Sequence, residues 1–133
     1  MNDNEKAASF IGWRECPNPK HNWIYSCDSH LFHCYGCGRE DSIFARIHLP
    51  APDMSKPDNY MRAMEGILRA DSSMSWPSGF SFHCPAYENG KIKGTWRVDI
   101  QHKYQVKGIG AEIGLAAREA IARYYDKQQQ ENA

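Results

Sequence analysis

The sequence predicts an α+β protein in two parts, a small metal-clamped β-hairpin followed by an α-β-β-(β)-α two-layer domain. Three observations carry that prediction. Cys34 and Cys37 are separated by two residues, with Cys16 and His21 upstream. Phe80, Phe82, Cys84 and Ala86 alternate with Ser81, His83 and Pro85, and Trp96, Val98 and Ile100 alternate with Arg97, Asp99 and Gln101, the period of strands buried on one face. Ile113, Ala116, Ala117, Ala120, Ile121 and Tyr124 recur at helical spacing and form an apolar stripe.

The first part is organised by its cysteines. Two thiolates this close ligate one ion from a tight turn, and Gly36 and Gly38 let the backbone bend so that amides point at the sulfurs. A closed tetrahedral site takes two further ligands. Cys16 and His21 are the nearest upstream, with Pro17 and Pro19 stiffening the loop between them, and Cys27 is the alternative to His21. One structural Zn²⁺ suits such a set. Between the ligand pairs, residues 23–27 and 31–34 are aromatic-rich and strand-like, and Asp28-Ser29-His30 turns between them. Trp13 is expected to cover this small core. Asp41 or Ser42 caps a short helix through Ile47, with the Glu40-Asp41 carboxylates at its start, and Pro50 and Pro52 stop it.

Leu31-Phe32-His33-Cys34-Tyr35-Gly36-Cys37-Gly38, followed by Glu40-Asp41-Ser42-Ile43-Phe44, resembles the second half of the zinc-binding domain of bacterial and phage DNA primases. The resemblance spans residues 16–47 and implies a zinc ribbon with Cys16, His21, Cys34 and Cys37 as ligands. In that family the ribbon contacts single-stranded template. The corresponding surface here would be Trp23, Tyr25 and Tyr35 as stacking faces, beside Arg14, Lys20 and Arg39. Where the family has two residues between its first two ligands, this chain has four.

The expected division is a zinc-ribbon module over 1–48, a proline-rich linker over 49–57, the αββ(β)α domain over 58–127 and a polar tail over 128–133. Residues 1–8 are polar and expected to fray. Asp58 opens a helix in which Met61, Met64 and Leu68 recur on one side and Glu65 and Arg69 pair on the other. Glu88-Asn89-Gly90-Lys91 supplies a hairpin turn, residues 104–109 add a third strand, and Glu119 and Arg123 are spaced for an ion pair on the last helix. Trp96-Arg97-Val98, Gly108-Ile109-Gly110-Ala111-Glu112 and the run Leu115 to Ile121 resemble the small α-β-α sandwich domains of phage accessory proteins. The element order is also similar to that of the double-stranded-RNA-binding domain, which places lysines where this chain has Ala111-Glu112-Ile113-Gly114.

Sixteen basic and sixteen acidic residues cancel, so no global field draws the chain to nucleic acid. Lys91, Lys93, Lys103 and Lys107 read as a solvated face. Five cysteines without a secretory leader or a membrane-length apolar run lead us to expect reduced thiols in a cytoplasm, that of the host cell if the chain is phage-encoded. An enzyme is not expected. A four-ligand zinc leaves no position for an activated water, the deaminase His-x-Glu is absent, and adjacent His83 and Cys84 point to opposite faces of a strand. Gly108-x-Gly110 lacks the third glycine and the lysine of a phosphate loop. The expected function is that of a small phage-type accessory protein binding DNA, single-stranded or duplex, through the zinc ribbon. The alternative is a protein-binding inhibitor of a host defence or polymerase complex, with zinc purely structural.

Overall fold

The computed structural model describes residues 1–16, 23–43, 48–70 and 79–132. The chain forms two compact units, Arg14–Ala51 and a larger one built from Met1–Trp13 together with Pro52–Ala133. The described elements are mixed α and β, with three α-helices and three small antiparallel sheets.

In the larger unit the chain starts with α1 (Asp3–Ala8) and a 3-10 turn (Ser9–Ile11). The N-terminus was expected to fray, but a reciprocal capping box holds α1. Asn2 Oδ1 accepts from the Glu5 amide at 2.8 Å, and Glu5 Oε1 accepts from the Asn2 amide at 3.1 Å. Ala7 and Ala8 are fully buried. Trp13 belongs to this unit, not to the metal module it was expected to cover, and its amide donates to the Ala8 carbonyl at 3.2 Å. The side chain of Asn4 then joins the two sequence segments: Nδ2 donates to the Pro52 carbonyl at 2.8 Å and Oδ1 accepts from the Met54 amide at 2.8 Å. Residues 49–57, read as a linker, therefore include a structured part, in which Met54 is completely buried.

Helix α2 (Pro57–Ala70) starts with proline in its first turn, where a missing amide hydrogen costs no hydrogen bond. Its buried face is Tyr60, Ala63, Met64 and Ile67; Met61, expected on that face, is exposed. Glu65 and Arg69 approach to 3.8 Å as their spacing predicts. The main sheet has the order β4 (Gly79–His83), β7 (Trp96–Gln101), β8 (Gln105–Gly110), all antiparallel, so the third strand expected from the sequence is present. Between β4 and β7, β5 (Ala86–Glu88) and β6 (Lys91–Lys93) form a separate ribbon, because the continuous strand expected through Pro85 ends at His83. Asn89 and Gly90, at φ +52° and +76°, make its turn.

Helix α3 (Ile113–Asn132) packs its Ala116, Ala117, Ala120, Ile121 and Tyr124 stripe against the unit's core with Val98 and Ile100. Strand and helix approach closely because Gly108 has no side chain: a Cβ there would overlap the Ala116 carbonyl oxygen and the Ala120 amide. Tyr124 meets the edges of Phe10 and Tyr104, with ring centroids 6.1 Å and 5.2 Å away. The expected polar tail is instead the last turn of α3, continuing through Asn132, and Glu131 pairs with Lys103 at 3.2 Å.

In the smaller unit, β1 (Trp23–Ser26), β2 (Leu31–Cys34) and β3 (Glu40–Asp41) form an antiparallel sheet in that order. Asp28 and Ser29 lie in the expected turn, and His30 takes a left-handed φ of +56° there. The helix expected to start at Asp41 or Ser42 and run through Ile47 does not begin there, since Asp41 ends β3 and residues 42–43 form a bend; residues 44–47 lie outside the described residues.

Candidate metal centre

Cys34 is the last residue of β2 and is fully buried. Its amide donates to the Arg39 carbonyl at 2.9 Å, and its carbonyl accepts from the Gly38 amide at 2.8 Å, which closes the knuckle. Gly38 sits at φ +75°, a conformation that favours glycine. This turn brings half-buried Cys37 back toward Cys34. Cys16 is held from the other side: Arg39 Nη2 donates to the Arg14 carbonyl at 2.6 Å, fixing the segment that leads into Cys16, whose Sγ lies 3.5 Å from that of Cys34.

Among the described residues the fourth member is His48. One ligand atom from each of Cys16, Cys34, Cys37 and His48 lies within 4.8 Å of every other. Tetrahedral coordination at usual zinc bond lengths sets ligand atoms roughly 3.4–3.8 Å apart, so the set needs only a small contraction to hold one ion. A second observation fits: His48 Nε2 is buried and has no hydrogen-bond partner among the described residues, a cost that a metal bond would remove. These four residues could hold a metal ion.

Electrostatics favour the ligating form of Cys34. Burial pushes its thiol up, but the Cys37 amide, the His48 ring, the Cys16 thiol and the Gly36 amide together outweigh burial and bring it down to about 6. A thiolate is the species that binds metal.

The other expected residues are placed differently. His21 and Lys20 lie outside the described residues, as does the side chain of Trp23, whose backbone forms the start of β1. Cys27 is exposed after β1 and outside the four-residue group. Tyr35 projects from the knuckle at 66% exposure, its ring 4.9 Å from that of His33. Tyr25 is exposed, stacks at a tilt on Phe32 with centroids 4.9 Å apart, and its hydroxyl meets His30 Nδ1 at 3.3 Å. Arg14 is exposed, whereas Arg39 is committed to the Arg14 carbonyl. Glu40 was expected at a helix start; instead it lies in β3 opposite His33, with Oε1 at 3.0 Å from Nδ1. Asp41 Oδ1 accepts from the Ile43 amide at 2.9 Å, a local turn bond.

His48 lies downstream of the knuckle, on the side opposite the ligands expected from the sequence. The usable signal was a histidine downstream, giving Cys34-x2-Cys37-x10-His48, since paired cysteines followed by histidine are a common zinc pattern. His83 Nε2 pairs with Asp99 Oδ2 at 3.2 Å, whereas Cys84, expected on the buried face of a strand with Phe82 and Ala86, lies past the end of β4 and is exposed as they are. No helix among the described residues is long and apolar enough to cross a membrane. No family model, curated protein or solved structure matches the chain.

Proposed function

We propose that Cys16, Cys34, Cys37 and His48 bind one structural zinc ion, and that the clamped hairpin serves as a non-catalytic contact surface for single-stranded DNA. Three thiolates and an imidazole are a donor set that suits zinc, and four protein ligands leave no open position for a reacting water. The observation that carries the DNA reading is Tyr35, two-thirds exposed one residue beyond a fully buried ligand, with Tyr25 exposed on the same small sheet module. An aromatic ring held on a rigid turn offers a base a stacking face at little entropic cost.

The module's charge shapes the expectation. Arg14, Lys20, Arg39 and Arg46 balance Glu15, Asp28, Glu40 and Asp41, and three thiolates on a dication add one negative charge. Affinity would therefore come from stacking, at about 1–3 kcal/mol per base, more than from counterion release. Fluorescence anisotropy with a labelled oligonucleotide and zinc-loaded protein tests this. Micromolar binding that falls on Tyr35→Ala and changes little with salt supports the reading; no binding at low salt removes it.

A second reading, docking on a protein, is favoured by the β5–β6 ribbon. Tyr87 and Ile92 face each other across it at 71% and 68% exposure, an apolar pair left in water. Under that reading zinc only holds the shape of the smaller unit, and Tyr87→Ser with Ile92→Ser abolishes partner capture while leaving zinc content unchanged.

A further inference from the structure

The two edges of the main sheet, β8 and β4, are built differently. β8 is guarded: the Lys107 carbonyl accepts from Arg123 Nη1 at 2.7 Å, Lys107 puts a charge in mid-strand, and α3 lies so close over Gly108 that no Cβ fits between them. Lysines and covering helices are ordinary means of keeping a sheet edge from pairing with another chain. β4 has no such lysine. Its residues, Gly79-Phe80-Ser81-Phe82-His83, include no lysine, arginine, aspartate, glutamate or proline, and all but Phe80 are exposed. Among the described residues no strand pairs with its outer side. We propose that β4 pairs antiparallel with β4 of a second copy of this chain, giving a two-fold symmetric dimer with one continuous six-stranded sheet.

The identity of the partner follows from the pattern of the strand. A two-fold axis brings the same surface to both sides of an interface, so the edge must complement its own reverse. With the axis at Ser81, Phe80 faces the partner's Phe82, Phe82 faces the partner's Phe80, and Ser81 meets its own counterpart. Register with β7 puts Phe80 and Phe82 opposite Ile100 and Val98, on the core side of the sheet, and Ser81 opposite Asp99 on the other side. Both copies therefore present their cores on one side of the joined sheet. Two aromatic cross-strand pairs form on that side, where Phe82 is 39% exposed and its ring centroid lies 6.5 Å from that of Tyr60.

Charge and closure agree with this pairing. His83 faces the partner's Gly79 and is engaged by Asp99 of its own chain at 3.2 Å, so no like charges meet across the axis. Whichever alternate set of β4 amides points outward, the register closes about four to six main-chain hydrogen bonds. The outer edges of the joined sheet are then the two guarded β8 strands, and pairing stops at two copies. None of these residues belongs to the metal module, so the proposal stands independently of zinc and of DNA binding.

Sedimentation equilibrium of the full, zinc-loaded chain across the micromolar range tests the proposal, with two variants that locate the contact. The expected result is a reversible dimer. Ser81→Lys sets two like charges opposite each other at the axis and is expected to weaken the dimer about tenfold or more. The Ser81 side chain is exposed, so the fold of each copy is kept, which an unchanged far-ultraviolet circular-dichroism spectrum verifies. Under mild oxidation Ser81→Cys is expected to link two chains through position 81, because directly opposed residues stand about 4.5–5.5 Å apart at Cα, within disulfide reach. Peptide mapping by mass spectrometry separates that link from any made by the exposed Cys27 or Cys84. A monomer at every concentration overturns the proposal. So does a dimer that Ser81→Lys leaves intact, or Ser81→Cys chains that dimerise without a link through position 81, either of which places the contact elsewhere.

Discussion

The sulfur atoms of Cys16 and Cys34 stand 3.5 Å apart across 18 positions of sequence, and no disulfide joins them. A covalent S–S bond is about 2.05 Å, so this is a non-bonded approach. Two sulfurs at this distance repel once both are ionised, and a cation between them and the other ligands converts repulsion into coordination. Chelating the metal is therefore expected to unfold the Arg14–Ala51 unit while the larger unit, which has its own buried core, persists. Amide NMR spectra with and without chelator check this. Collapse of signals confined to residues 14–51 is expected; loss of the whole spectrum would contradict it.

The fourth ligand is decided by paired variants. His48→Ala is expected to weaken zinc binding by more than the roughly 10–100-fold typical of losing an outer-shell partner, because it removes a direct ligand. His21→Ala is expected to leave affinity unchanged. Competition with a chromophoric chelator measures both, and the reverse ranking would return the position to His21.

Gly108→Ala forces a methyl group onto the Ala116 carbonyl and the Ala120 amide, backbone atoms that cannot rotate away. The expected loss is at least about 1–3 kcal/mol, the ordinary cost of overpacking. Gly79→Ala, with nothing within 4 Å of the added carbon, serves as the control and is expected to be near neutral. Urea denaturation of the two variants gives the comparison.

Asp53 gives a pH dependence of known sign. Its carboxylate accepts from the Ser55 hydroxyl at 2.6 Å and the Ser55 amide at 3.0 Å, and these bonds, the hydroxyl first, hold its pKa below the ordinary value. A depressed folded pKa contributes stability that is present above the unfolded value of about 3.9 and is lost as pH falls through the folded value. Asp53→Ala should therefore flatten part of the acid limb of the stability profile while leaving its slope near neutrality unchanged. Thermal melts from pH 6 down to pH 3 would show it, and parallel acid limbs would refute it.

Legibility in the sequence followed the physics of each segment. The α3 stripe, the Glu119–Arg123 pair and the Asn89-Gly90 turn were readable because periodicity and left-handed turn chemistry are local. The knuckle was readable because two thiolates at that spacing have few structural alternatives. On α2 the methionine spacing points to Met61, whereas the buried face uses Tyr60 and Ala63, and a small residue contributes little to a hydrophobicity pattern. The N-terminus looked polar throughout, yet the Asn2 and Glu5 capping box was present as a local signal, and burial of Ala7 and Ala8 depends on tertiary packing. The glutamines at the end of α3 carry no apolar period, so their helical state was invisible to a burial pattern. The spacing Cys34-x2-Cys37-x10-His48 links His48 to the knuckle, but its approach to Cys16, 32 positions away, depends on the tertiary fold.

The larger unit takes its chain from both sides of the metal module, with Asn4 bonded to Pro52 and Met54. The module is thus a cassette. Both of its covalent attachments lead into a single body, so it can be lost, exchanged or duplicated without severing any strand or helix of its host. A chain in which residues 14–51 are replaced by a short glycine-serine bridge should keep the fold of the larger unit, and metal dependence would then be a property that selection could add or remove in one step.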